Sequence, residues 1–113
     1  GKFYVCDAGH RRIVIYDEFG NYVRKQTFDD IEYPISVALE KGAMWLLDGA
    51  GSRVSYVNKS GATIKQFGPI LTGDQIPLKE PSDIIMLRDG RLLIADTGNR
   101  RLLLCRVERG DSK

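Results

Sequence analysis

Gly1-Lys-Phe-Tyr-Val-Cys-Asp7, Gly42-Ala-Met-Trp-Leu-Leu-Asp48 and Gly90-Arg-Leu-Leu-Ile-Ala-Asp96 superpose without gaps, each with its glycine six places before its aspartate. The register continues past that point. Five places after each aspartate stands an arginine, Arg12, Arg53 and Arg101, followed by Ile13, Val54 and Leu102. Gly20 and Gly61 recur thirteen places after the first two aspartates, and Pro34 and Pro81 precede the second and third by fourteen and fifteen. The aspartates are 41 and 48 residues apart, and the excess falls in one insertion, residues 68–80. Self-similarity at a period of roughly 20–50 residues marks a repeat architecture and governs how every other segment is read.

Each unit consists of short strands separated by turn chemistry. In the second unit residues 35–40, 43–48, 53–58 and 62–67 read as strands, parted by Lys41-Gly42, a loop over 49–52, and Lys59-Ser60-Gly61. Glycine at such corners supplies positive φ without a steric penalty, and Asp89-Gly90 is the strongest hairpin signal in the chain. No segment keeps a 3.6-residue period for ten residues without meeting glycine, proline or a turn cluster, so the chain is all-β.

The strand before each aspartate is apolar on both faces. Phe3 and Val5, with Met44, Leu46, Leu92 and Ile94, point one way; Tyr4 and Cys6, with Trp45, Leu47, Leu93 and Ala95, point the other. A strand of this kind needs cover on both sides. Four-stranded antiparallel sheets that repeat at this period and stack face on face are β-propeller blades. The units divide as an incomplete first blade over 1–33, a complete second over 34–80 with its loop insertion 68–80, an incomplete third over 81–107, and a polar tail over 108–113.

Asp96-Thr-Gly-Asn-Arg-Arg-Leu102, echoed by Asp7-Ala-Gly-His-Arg-Arg-Ile13 and more faintly by Asp48-Gly-Ala-Gly-Ser-Arg-Val54, resembles the signature of NHL-repeat propellers. The resemblance covers nearly the whole chain apart from the insertion and the tail. It implies a ring of about six blades, or about 270 residues at this period, of which about two and a half are present. The first blade lacks its opening strand and the third its closing one, so the chain is expected to complete a ring with another chain or to be a fragment of a longer propeller. A beginning at a glycine within a hairpin favours a fragment or a processed product. Proteins of this family include interaction scaffolds, RNA-binding modules, an amidating lyase and bacterial envelope proteins.

Asp7, Asp48 and Asp96 with Arg12, Arg53 and Arg101 form the most regular polar constellation. Threefold repetition gives them a structural role, in which the carboxylate caps the backbone of the following loop and the arginine pairs with a carboxylate of a neighbouring blade. His10 stands where the third unit has Asn99, and a loop role like that of the asparagine is expected of it. No serine or cysteine has a recognisable catalytic partner. The lyases implied by the resemblance gather several histidines around a metal, whereas this chain has one histidine. Neither a metal nor a cofactor is expected.

Candidate binding residues lie in the loops. Ile76, Leu78 and Lys79, with Leu71 and Gln75, belong to the proline-punctuated insertion, where apolar groups occupy what should be a surface loop; His10, Arg11 and Arg100 lie in the Asp loops. Trp45 and Tyr56 are expected in the core. Cys6 and Cys105 fall two blades apart, which disfavours a bridge and leaves the redox compartment open. Asn58-Lys-Ser60 matches a glycosylation acceptor, though a hairpin turn accounts for the same residues.

A net charge of +2 is too slight to recommend nucleic acid or an acidic membrane as partner. The basic clusters around Arg11, Arg24, Arg100 and Arg106 are interleaved with Asp17, Glu18, Asp29, Asp30, Glu32 and Glu108, as in a solvated surface. These residues show no signal peptide and no apolar run of membrane-spanning length, and prior removal of a signal from a bacterial periplasmic or extracellular protein is compatible with them. The expected function is that of a non-enzymatic interaction module that binds a protein partner or further blades. The alternatives are part of a propeller lyase or lactonase whose catalytic groups come from other blades, and, less favoured, an RNA-binding module.

Overall fold

In the computed structural model of the chain, residues 1–50, 53–58, 60, 62–67 and 76–106 are described. Their strands are β1 (Lys2–Asp7), β2 (Arg12–Asp17), β3 (Tyr22–Thr27), β4 (Pro34–Glu40), β5 (Ala43–Asp48), β6 (Arg53–Asn58), β7 (Thr63–Phe67), β8 (Asp83–Met86), β9 (Leu92–Asp96) and β10 (Arg101–Cys105). They form three antiparallel sheets, ordered β1-β2-β3, β4-β5-β6-β7 and β8-β9-β10. Each neighbouring pair is consecutive in sequence. No α-helix interrupts the described residues, whose only helical turns are 3-10 turns over Ala8–His10 and Thr97–Asn99.

The turns are made by the residues expected to make them. Gly20, Gly42 and Gly90 all have positive φ, and the β8–β9 hairpin closes with the Leu87 N–H donating to the Arg91 carbonyl at 2.8 Å. At the β2–β3 turn the Asp17 carboxylate accepts the N–H groups of Phe19 and Asn21, both at 2.9 Å. Asn58 does the same at the β6–β7 turn, where its side-chain oxygen accepts the N–H groups of Ser60 and Ala62, both at 3.0 Å. Such side-chain-to-backbone bonds hold a turn in place, and they give Asn58 a structural role in its hairpin.

The sheets stack face against face. Ile13 and Ile15, with Tyr4 and Cys6 beside them, meet Met44, Leu46 and Val57 in one buried cluster between the first and second sheets. Trp45, Leu47 and Val54 meet Ile84, Leu92 and Ile94 in a second cluster between the second and third. Every residue of β5 is buried, as expected for a strand covered on both faces. Trp45 packs on Tyr56 with ring centroids 4.5 Å apart, and its indole N–H donates to Glu40 Oε1 at 3.0 Å.

The terminal sheets depart from that pattern. Phe3 is 59% and Val5 46% exposed on the outer face of β1, while Ile85, Leu102 and Leu104 are exposed on the outer face of the third sheet. Leu93 and Ala95 are half-buried. The reason is positional: the first and third sheets each have a neighbouring sheet on one side only. On the inner side β4 and β8 lie together, tied by Ser36 Oγ donating to Asp83 Oδ1 at 2.6 Å and by the Ile84 N–H donating to Ser36 Oγ at 3.2 Å.

Candidate functional site

Asp7, Asp48 and Asp96 end β1, β5 and β9, so the three carboxylates share one end of the stack. Asp48 is buried, and its partners are backbone. Its Oδ1 accepts the N–H groups of Tyr33 at 3.1 Å and Ala50 at 3.0 Å, and its Oδ2 accepts the N–H of Glu32 at 3.1 Å. Asp96, 0% exposed, accepts the Lys79 N–H at 2.7 Å, Asn99 Nδ2 at 2.8 Å and Arg101 Nε at 2.7 Å. Burial pushes the pKa of Asp96 up, but its Asn99, Lys79 and Arg101 partners outweigh that and hold it below the usual carboxylate value.

The backbone donors to the Asp48 and Asp96 carboxylates therefore come mainly from upstream. Asp48 caps one N–H of its following loop, but its other two backbone donors, and the single one of Asp96, come from the segment that enters the same sheet. The loop answers in kind: the Gly49 N–H donates to the Tyr33 carbonyl at 3.0 Å and the Gly98 N–H to the Lys79 carbonyl at 2.7 Å. Each entering segment is thus gripped through both its N–H and its C=O groups. Buried residues flank the grip, Ile31 and Pro34 in one case and Leu78 and Pro81 in the other.

The arginines correct a sequence expectation. Arg12 and Arg101 pair with Asp7 and Asp96 of their own sheet, each Nε 2.7 Å from the carboxylate, rather than with a neighbouring blade. The cause is register, because Asp7 lies opposite Arg12 and Asp96 opposite Arg101 across a hairpin. Arg53 also faces Asp48 in register, yet among the described residues the two form no ion pair; Arg53 is exposed and backbone N–H groups take up the Asp48 oxygens.

Asp7 differs from the other two. Its carboxylate, 30% exposed, accepts Arg12 Nε and lies 3.1 Å from His10 Nδ1. These hydrogen bonds, that of His10 first, lower its pKa. His10 occupies the place of Asn99 geometrically as well as in sequence. The adjoining Arg11 and Arg100 are exposed and left-handed, with φ of 52° and 55°, a conformation that costs a non-glycine residue about 1–2 kcal/mol.

The other candidate residues scatter. Leu78 is buried in the core between the second and third sheets, which removes it from any surface open to a partner. Lys79 is exposed, though its backbone serves Asp96 and Gly98. Ile76 is exposed and its carbonyl accepts Arg101 Nη2 at 3.2 Å; the Pro77 carbonyl accepts Asn99 Nδ2 at 2.9 Å. Leu71 and Gln75 lie outside the described residues. Both cysteines are free thiols. Burial, and secondarily the Asp83 charge, push the Cys6 thiol up to about 11, and burial raises Cys105 as well, so neither is an activated nucleophile.

Sequence reading missed one feature altogether. At the opposite end of the stack a pocket of about 500 Å3 opens between the first and second sheets, lined by Lys2, Tyr4, Arg24, Glu40, Met44 and Asn58 among others. These residues come from β1, β3, β4, β5 and β6, and no local motif announces the pocket. Its lining mixes charges of both signs.

No family model matches the chain, and no curated protein matches it. Solved structures do. Virginiamycin B lyase from Staphylococcus aureus aligns over 99% of this chain and 40% of its own, at 16% identity and a TM-score of 0.64. Glutaminyl cyclase from Myxococcus xanthus aligns over 98% of this chain and 53% of its own, at 15% identity and a TM-score of 0.73. A streptogramin B lyase aligns over 83% and 44% respectively, at 14% identity and a TM-score of 0.53. The likeness is one of fold: the sheets are blades of a β-propeller. The chain spans 40–53% of the length of these structures, so it supplies part of such a ring.

Proposed function

We propose that the chain is a non-enzymatic interaction module of the NHL-repeat type, whose terminal sheets engage a protein partner or further propeller blades. The observation that carries this reading is the pair of apolar outer faces. Phe3 and Val5 on the first sheet occupy the positions that Met44 and Leu46 fill in the core, and Ile85, Leu102 and Leu104 leave the third sheet equally uncovered. Contiguous apolar surface of this kind marks a protein contact. The recurring Asp, Gly and Arg of the loops support the NHL assignment.

The neighbouring structures are of lyases and a cyclase, which keeps part of a propeller enzyme as the rival reading. On that reading, the catalytic groups come from blades outside these 113 residues. Light scattering on a sizing column, with a hydrophobic dye added to each fraction, tests the proposal. A discrete oligomer supports the interaction module, whereas a monomer that binds the dye favours the rival, in which these blades are part of a longer propeller and the function lies in its other blades. A monomer that leaves the dye dark has no apolar face to offer and overturns it.

A further inference from the structure

The two seams between sheets are not filled alike. Tyr4, Ile15 and Arg24 lie in register across the first sheet, and Trp45, Tyr56 and Lys65 across the second, with a register shift after Ile15 and after Tyr56. Each row faces the next sheet. Tyr4 and Ile15 share a cluster with Met44 and Leu46, and Trp45 and Tyr56 share one with Leu92 and Ile94. In the second seam the two rings pack with centroids 4.5 Å apart. In the first, a smaller aromatic and an aliphatic residue hold those places, and beside them opens the pocket of about 500 Å3. Its walls are β1 and β3 on one side and β4, β5 and β6 on the other. The space thus traces to the type of residue in the row.

The charges of the pocket specify its occupant. Lys2 and Arg24 both line it, and among the described residues neither lies within ion-pair distance of a carboxylate. Glu40 is the acid of the lining, and its Oε1 already accepts the Trp45 indole N–H at 3.0 Å. Arg24 is held in place: its Nη1 donates to Gln26 Oε1 at 3.0 Å, and Gln26 is 7% exposed. With its carbonyl turned to Arg24, Gln26 leaves Nε2 buried and without a partner among the described residues. An amide so deeply buried ordinarily satisfies both of its ends; here one is given up and the guanidinium is fixed. Tyr4 and Met44 supply the apolar wall, a ring and a thioether that both pack well on an aromatic group. We propose that the pocket binds a small aromatic carboxylate, its ring against Tyr4 and Met44 and its carboxylate on Arg24 with Lys2 beside it. The proposal goes beyond the interaction-module reading and does not depend on it.

The probe is indolepropionate, titrated into the intact chain and followed by calorimetry, with its uncharged amide as the control. Saturable binding to one site is expected. The amide should bind about tenfold more weakly or worse, because it brings no charge to Arg24. Tyr4→Trp, which gives the first row the residue of the second, should abolish binding by occupying the space. Arg24→Gln should weaken it by about tenfold or more. Both variants should keep the thermal midpoint of the chain, since Tyr4 is half-buried and Arg24 exposed. Absence of saturable binding, equal affinity for the amide, or binding indifferent to Tyr4→Trp overturns the proposal. Should Tyr4→Trp disturb the fold, Arg24→Gln decides alone, and binding indifferent to it overturns the proposal as well.

Discussion

Replacing each loop aspartate by asparagine should separate the three units by stability, and Asp96 should be the costliest of the set to compare with Asp7. The Asp96 oxygens accept three donors, the Lys79 N–H, Asn99 Nδ2 and Arg101 Nε, in a site with no solvent exposure. An amide keeps one acceptor oxygen and puts an NH2 donor where the other stood. If the oxygen continues to serve Asn99 and Arg101, the Lys79 N–H faces another donor in the protein interior; if it turns to Lys79, the two side chains lose their acceptor. Arg101 also loses the negative charge of Asp96. An unsatisfied buried donor costs about 1–3 kcal/mol, and the weakened charge-assisted bonds bring the sum to about 3 kcal/mol. For a domain near this size that lowers the melting temperature by roughly 10–20 °C. Asp48→Asn should cost a comparable amount, since three backbone donors depend on that carboxylate. Asp7→Asn, which affects only the exposed His10 and the partly exposed Arg12, should shift the melting temperature least. Differential scanning calorimetry on the four proteins decides it. Equal losses at Asp7 and Asp96 would refute the claim that the entering segment, rather than the ion pair, carries the energy.

Gly98→Ala should destabilise the chain by about 1–3 kcal/mol in urea unfolding, because its Cβ meets the Lys79 backbone. Acid should act through Asp96: its folded pKa lies below the ordinary aspartate value, so its contribution is complete above about pH 4 and is lost as the pH falls through the folded value. Thermal midpoints should thus hold steady from about pH 7 to 5 and drop below about 4, and Asp96→Asn should flatten that drop. Cys6, with its thiol raised to about 11, should react with a maleimide at about pH 8 far more slowly in the folded chain than in urea; equal rates would contradict its burial.

Much of the architecture is legible in the chain because the repeat signal is redundant. Glycine, aspartate and arginine at fixed offsets locate the hairpins, and the doubly apolar strand around Trp45 announces cover on both faces. Contacts with no fixed offset stay hidden. Nothing local links Asp48 to Tyr33 or Asp96 to Lys79, residues 15 and 17 positions upstream, although the prolines next to them are plain to see. The partner of Arg12 escapes a sequence reading because strand register, a property of two strands together, decides it. Leu78 looks like a loop residue offered to a partner, since an insertion obscures the repeat just where the chain turns back into the core. The pocket beside Arg24 and Glu40 is assembled from five strands and has no sequence signature at all.

That the backbone donors to Asp48 and Asp96 come mainly from upstream has a consequence for how the chain acquires its structure. Strand pairings join sequence neighbours, and the longest tie from a loop aspartate to its entering segment spans 17 residues. Contacts this local have a small loop-closure cost, which rises only slowly with length, and chains rich in them fold fast for their size. One unit can therefore zip from its hairpins and lock its own beginning before the next is complete. Folding should proceed unit by unit along the chain, as in other repeat arrays.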